Sequence, residues 1–270
     1  MNVLSLNYHF FDYKHNISDF DSDLFSTPHI VYIVLVYVLG ILVSFLLRKA
    51  KHRRIDVGLK IFSILMVLFE ATKITWESYW DITTGRGFNW EGLLPIYTCS
   101  LFIYTLLGAA WTRGKVRDFC LSFIGTIGLL YGAIGVVYCN GLNFYPFWTF
   151  GAFYSLFFHS AMFVTGVFLL MTGYKKLEWL DSLRAMVPIL LLAAVAIPVN
   201  HVLGPKGADY MLIYSGGGVP FYEDLAKALA EKGLRFVYTI IMLLTHIPLA
   251  LLVIAIYKLF AKLFGKKQAA

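Results

Sequence analysis

Charge is scarce in this sequence. Only 14% of its 270 residues are charged while 59% are hydrophobic, and the mean hydropathy is +0.70. A soluble domain carries about 25% charged and about 45–50% apolar residues, so a water-soluble globule is excluded. Cysteine is scarce too. Cys99, Cys120 and Cys139 form no CxxC pair and no zinc-type spacing, which excludes a disulfide framework. Cys99 and Cys139 alone fall toward the same side of a membrane topology, so one bridge stays open to them. No basic stretch precedes the first apolar run, and that run is too long for a signal-peptide core, so nothing is expected to be cleaved. No GxxxxGK[ST] phosphate loop is present, and the histidines have no HExxH-type or comparable ligand spacing; no cofactor, haem or metal is expected. No internal repeat is visible, so residues 1–270 read as a single integral membrane domain.

What the sequence has is long apolar runs. A hydrocarbon core of about 30 Å needs about 20 apolar residues in a helix, because every backbone amide must be satisfied without water. Seven segments meet that test, at 29–47, 57–80, 93–111, 119–138, 147–172, 183–203 and 234–258. The fold class expected is an all-α polytopic bundle. The net charge of +7 would suit nucleic acid, but the bases cluster between apolar runs, where topology accounts for them. Arg48, Lys49, Lys51, Arg53 and Arg54 fill the first loop, Arg113, Lys115 and Arg117 the third, and Lys175, Lys176 and Arg184 the fifth. Lys258, Lys262, Lys266 and Lys267 end the chain. Cytoplasmic loops collect such residues, which places the N-terminus outside and the C-terminus inside. The opposite side then holds Asp12, Asp19, Asp21 and Asp23, the 81–91 stretch, the nearly uncharged 139–148 stretch and the loop 204–233. Within that last loop, Pro220 to Gly233 has the early acids, helix-forming composition and glycine stop of a short helix lying on the outer face, with Gly216-Gly217-Gly218 as a hinge before it. Trp76, Trp80, Trp90, Trp111, Trp148 and Trp179 sit near expected helix ends, as headgroup anchors do.

Ionisable groups inside such helices cost at least about 2.5–3.5 kcal/mol each, so they face a protein interior or an aqueous cavity. Glu70, Lys73 and Glu77 recur at i, i+3 and i+7 along one helix face, where Lys73 can neutralise either carboxylate. That stripe is either a structural ion pair or a headgroup-binding element, with Lys73 on a lipid phosphate. Pro95 suits a helix start, which puts Cys99 about 9 Å inside the membrane at about 1.5 Å per residue. Cys99 is then a small apolar filler or a nucleophile. His159 either bonds a carbonyl across helices or serves as a base. Asn200, near a helix end, either bonds backbone or orients an imidazole. His201 and His246 are weaker candidates. In the deduced topology Glu70, Lys73, Glu77, Cys99, His159, Asn200 and His201 mostly fall in the outward half although they come from four helices, a pattern that suits a catalytic pocket or an outward-open transport cavity.

Three short signatures, Leu94-Pro95 followed by Cys99, His159 within its aromatic helix, and Asn200 followed by Gly207-Ala208-Asp209-Tyr210-Met211, resemble the YwaF-like family of integral membrane proteins. This bacterial family has an animal relative that is a transmembrane ether-phospholipid acyltransferase. The resemblance spans nearly the whole chain and implies a bacterial cell membrane protein in which Cys99 attacks a lipid ester and His159 carries the proton. It leaves Asn200 to orient His159 or to stabilise the oxyanion, and Lys73 to hold the donor phosphate. Asp209 departs from the family's pattern, where asparagine is usual, and that bears on the loop contacts. The reading is a membrane-embedded acyltransferase or acyl hydrolase with membrane lipid as substrate and no nucleic-acid partner. The alternative is a non-enzymatic transporter or substrate-binding membrane component that uses the charged stripe and histidines as a polar pathway.

Overall fold

The computed structural model describes residues 9–14, 17, 21–88, 93–204, 209–217 and 220–265. Asp19, Trp90, Glu91, Gly207, Ala208, Gly218, Lys266 and Lys267 lie outside the described residues. Among those described, all regular structure is helical, with no strand. The helices are α1 (Thr27–Leu46), α2 (His52–Thr83), α3 (Leu101–Trp111) and α4 (Gly114–Phe123), the last running through a π turn (Ile124–Gly128) into α5 (Leu129–Val137). There follow α6 (Phe150–Met171), the short α7 (Asp181–Arg184), α8 (Met186–Leu203), α9 (Pro220–Glu231), α10 (Arg235–Leu244) and α11 (His246–Gly265).

Among the described residues, five stretches are long and apolar enough to cross a membrane: Thr27–Leu46, Gly114–Asn143, Phe150–Met171, Asp181–Leu203 and Arg235–Leu263. The sequence led us to expect seven. Of the other two, α2 has ample length at 32 residues, but Glu70, Lys73 and Glu77 break its apolar run. Between Leu94 and Ser100 the segment 93–111 is not helical, and it is helical again only from Leu101, leaving an α3 of 11 residues. The last crossing is jointed between α10 and α11, with Pro248 one turn beyond the joint. The expected short helix in 204–233 is α9, with Glu223 in its first turn, and it ends at Gly233 with φ +71°.

Without a hydrophobic driving force between helices in lipid, close packing requires small side chains at the contact. Helix α5 lies against α6 on that principle. A Cβ on Gly132 would sit 2.4 Å from the Phe163 amide nitrogen, and one on Gly135 would sit 2.1 Å from the His159 ring. Helix α1 packs on the same α6, while α2 and α4 flank α3. Phe102, Leu106, Phe123, Ile124, Ile127 and Met162 fill the fully buried centre. Trp111, Trp148 and Trp179 are more than half exposed, as headgroup anchors would be, whereas Trp76 and Trp80 both donate their indole N–H to the Phe11 carbonyl and tether the N-terminal segment.

The ends of the bundle are pinned differently. At the basic end, the fully buried Asp181 accepts from Ser122 Oγ (2.8 Å), Lys175 Nζ (2.9 Å), Arg184 (3.0 Å) and the Glu178 amide (2.8 Å). Asp118 joins the same network through Lys175 and Arg184. Asp56, Arg117 and Tyr174 form a second bonded group beside it.

Candidate functional site

A cavity of about 210 Å³ opens between α2, the segment leading into α3, and α6. Glu70, Lys73, Glu77, Cys99 and His159 all line it, so the fold brings together five of the seven residues singled out by sequence. The lining residue Phe158 packs its ring edge-on against that of the fully buried Phe102, with centroids 6.1 Å apart. Tyr13 of the tethered N-terminal segment is buried and packs edge-on against Trp76, a lining residue, with centroids 5.4 Å apart.

Cys99 is not within a helix, contrary to the depth argument from Pro95. The chain from Leu94 to Ser100 is irregular, with a tight Ile96 N–H to Leu94 carbonyl bond, and the helix begins only at Leu101. This irregular segment lines the cavity. Its Tyr97, Cys99 and Ser100 carbonyls accept from the Leu101, Phe102 and Ile103 amides. The half-buried Cys99 therefore sits just before the N-terminus of α3, one position ahead of its N-cap Ser100.

His159 lies on α6, and its Nδ1 is 2.8 Å from the Ser155 carbonyl one turn earlier. A carbonyl only accepts, so a neutral ring carries its proton on Nδ1 and leaves Nε2 with a free lone pair. The ring lies over Gly135, the position that gives it room. Among the described residues no hydrogen bond joins Cys99 to His159; the two share the cavity without touching through one.

The α2 stripe lies as its spacing implied. Lys73 pairs with Glu77 at 3.0 Å, and its Nζ also lies 5.8 Å from the Tyr154 ring centre. Glu70 is 7% exposed and accepts from the Tyr154 hydroxyl. Both carboxylates thus have partners, and Lys73 is the cation among the described lining residues. Burial, with Glu77 and Asp81 nearby, raises the Tyr145 phenol above its ordinary value, so Tyr145 lines the cavity as a neutral hydroxyl.

Asn200 and His201 lie elsewhere. Asn200, 2% exposed, donates to the Tyr210 carbonyl (2.9 Å) and accepts from the Tyr210 amide (2.8 Å). This backbone-bonding role is one of the two that the sequence left open. It pins a turn in which Met211 and Leu212 both have positive φ, 62° and 58°, a backbone region costly for side chains of this size. Asp209 braces the turn by accepting from the Tyr214 and Ser215 amides and the Ser215 hydroxyl. The buried Tyr210 ring then packs 4.9 Å from Tyr97 in the cavity wall, so Asn200 reaches the cavity only through this chain of contacts. His201 is exposed and lines a separate surface pocket with Tyr214 and Arg235. His246 is buried, with Nδ1 3.1 Å from the Met242 and Leu243 carbonyls.

Sequence reasoning missed Tyr154, Ser155, Tyr145 and Gly135. Ser155 and His159 stand at i and i+4, a spacing that could have flagged the imidazole's carbonyl partner. Nothing in a run of aromatics distinguishes Tyr154 from its neighbours.

Comparison with known proteins supplies one match. The model of the TMEM164 family, a transmembrane protein family, matches residues 24–263. No curated protein and no solved structure matches the chain.

Proposed function

Because the chain belongs to the TMEM164 family and is an integral membrane protein, we propose that it is a lipid acyltransferase or acyl hydrolase that works through Cys99 and His159. The observation that carries the reading is the convergence of a thiol, an imidazole with a free Nε2 and an ammonium group, from three separate elements, on one cavity. At about 210 Å³ the cavity is smaller than the roughly 300–1,000 Å³ of pockets that engulf a small ligand. It suits the ester and glycerol portion of a phospholipid whose chains stay in the bilayer.

The Cys99 sulfur attacks the ester carbonyl as His159 Nε2 takes the thiol proton, forming an S–C bond. The ester C–O bond then breaks, and the departing lysolipid alcohol recovers the proton from His159. An acceptor hydroxyl gives His159 its own proton, attacks the thioester, and restores the Cys99 thiol as the new ester forms; water in its place yields a free fatty acid. Lys73 holds the donor phosphate, and the neutral Tyr145 hydroxyl is placed to donate to the developing oxyanion. In this reading α2 and the 93–111 segment supply the sixth and seventh crossings, with the cavity facing outward, the basic loops in the cytoplasm and the whole in a bacterial cell membrane, as in YwaF-like proteins. Asn200 acts as a positioning residue for the cavity wall.

The absence of a Cys99–His159 hydrogen bond among the described residues and the burial of Glu70 favour a second reading, a solute-binding or transport component built on the α2 stripe. Acyl transfer between defined phospholipids by the purified protein separates them. The acyltransferase reading expects turnover that vanishes in Cys99→Ala, Cys99→Ser and His159→Ala while each variant stays folded. Turnover unchanged in those variants, or none across a broad set of donors alongside bound or transported solute, selects the second reading.

A further inference from the structure

The side of α6 away from the Cys99 cavity carries a different feature. Helix α1 is the least buried crossing, with 17% of its most apolar window buried, and it rests on α6, whereas α2 rests on α3. The space left between α1 and α2 is a trough floored by α6. It consists of two adjoining cavities of about 590 and 500 Å³ that share Val43, Phe62, Val164 and Thr165. It follows α1 from Tyr32 to Leu46, about 21 Å at about 1.5 Å per residue. Its walls are almost wholly apolar, and the hydroxyls of Tyr32 and Ser160 at one end satisfy each other at 2.9 Å.

The other end is basic. Lys49 and Arg54 line the trough there, both exposed, and among the described residues no carboxylate pairs with either. Asp56, the nearest acid in the sequence, is engaged by Arg117 and Tyr174. Arg48 is turned onto the Phe45 ring and carbonyl. An apolar slot in a bilayer is filled by hydrocarbon, and two unneutralised bases at its headgroup end complement a phosphate. We propose that the α1–α2 trough is a binding site for an anionic phospholipid of the leaflet beside the basic loop. Its phosphate lies on Lys49 and Arg54, and one acyl chain lies along Val43, Phe62 and Val164. The site lies on a different face of α6 from Cys99 and stands independently of the acyl-transfer reading.

Gly58 provides a clean test. It lines the trough, and a Cβ built on it meets nothing within 4 Å, so Gly58→Phe starts a bulky side chain from an open position beside the trough and removes a helix-interior glycine. The full chain is placed in nanodiscs carrying a photoactivatable phospholipid with a mid-chain diazirine, as phosphatidylglycerol or as phosphatidylcholine, and labelled peptides are read by mass spectrometry. Labelling at Val43, Phe62 and Val164 is expected to exceed that at the lipid-facing Leu191, and to be stronger with phosphatidylglycerol. Lys49→Gln with Arg54→Gln should cut the phosphatidylglycerol signal there by about an order of magnitude and leave Leu191 unchanged. Gly58→Phe should suppress both probes without lowering the thermal midpoint. Should Gly58→Phe fail to fold, the charge variants and the two probes decide. Trough labelling no greater than at Leu191, equal labelling by the two lipids, or indifference to the charge variants would overturn the proposal.

Discussion

Two of the places where the protein buries acidic side chains treat them in opposite ways. At the basic end, Asp181 accepts from Ser122, Lys175, Arg184 and the Glu178 amide, so both carboxylate oxygens that burial removed from water are engaged by protein donors. In the cavity, Glu70 has Tyr154 and Glu77 has Lys73, yet Cys99 Sγ and His159 Nε2, which share that space, have no side-chain hydrogen bond to each other among the described residues. The first arrangement fixes helices. The second gives its carboxylates partners while setting a thiol and an imidazole against the same open space without bonding them to each other. Burial of charge is therefore a poor guide to function by itself; what distinguishes the two sites is that one is filled by its own partners and the other borders a cavity.

That contrast breaks most sharply at Asp181. Asp181→Ala leaves Lys175, itself 6% exposed, without its buried counter-ion, and is expected to cost about 3–5 kcal/mol, read as the unfolding midpoint in detergent. Gly135→Ala is expected next. The added methyl meets the His159 ring, costs about 1–3 kcal/mol by overpacking, and shifts the imidazole, so stability and turnover fall together. Tyr154→Phe removes the donor to Glu70 and costs about 1 kcal/mol or somewhat more, and a turnover loss larger than that stability loss would tie the Tyr154–Glu70 bond to the cavity's chemistry. His201→Ala, on an exposed side chain outside the cavity, should change stability by less than about 0.5 kcal/mol and leave turnover as it was.

Much of this was legible in the sequence where periodicity carried it. The apolar runs located α1, α6 and α8, the early acids and Gly233 located α9, and the i, i+3, i+7 spacing put Glu70, Lys73 and Glu77 on one face, toward one cavity. The Cys99 turn was misread because Pro95 in the first turn of a helix and Pro95 in an irregular segment look alike in sequence; a cavity wall, not a local signal, sustains the irregular backbone. Lys175 and Arg184 were read as markers of topology, and their convergence with Asp118 on Asp181 depends on tertiary contacts between α4, α7 and the loop between them. Asn200 was legible as polar and out of place, but its partner is the backbone of Tyr210, whose left-handed neighbours Met211 and Leu212 carry no glycine signal.

The most direct test of the account is to search for an acyl group on Cys99. Protein incubated with a phospholipid donor and quenched in acid, then digested and analysed by mass spectrometry, should carry the donor's acyl mass as a hydroxylamine-sensitive thioester on the peptide containing Cys99. The same preparation of Cys99→Ala, with stability within about 1 kcal/mol of the parent, should carry none. Acyl transfer that proceeds with Cys99 never modified, or that survives in Cys99→Ala, would contradict it.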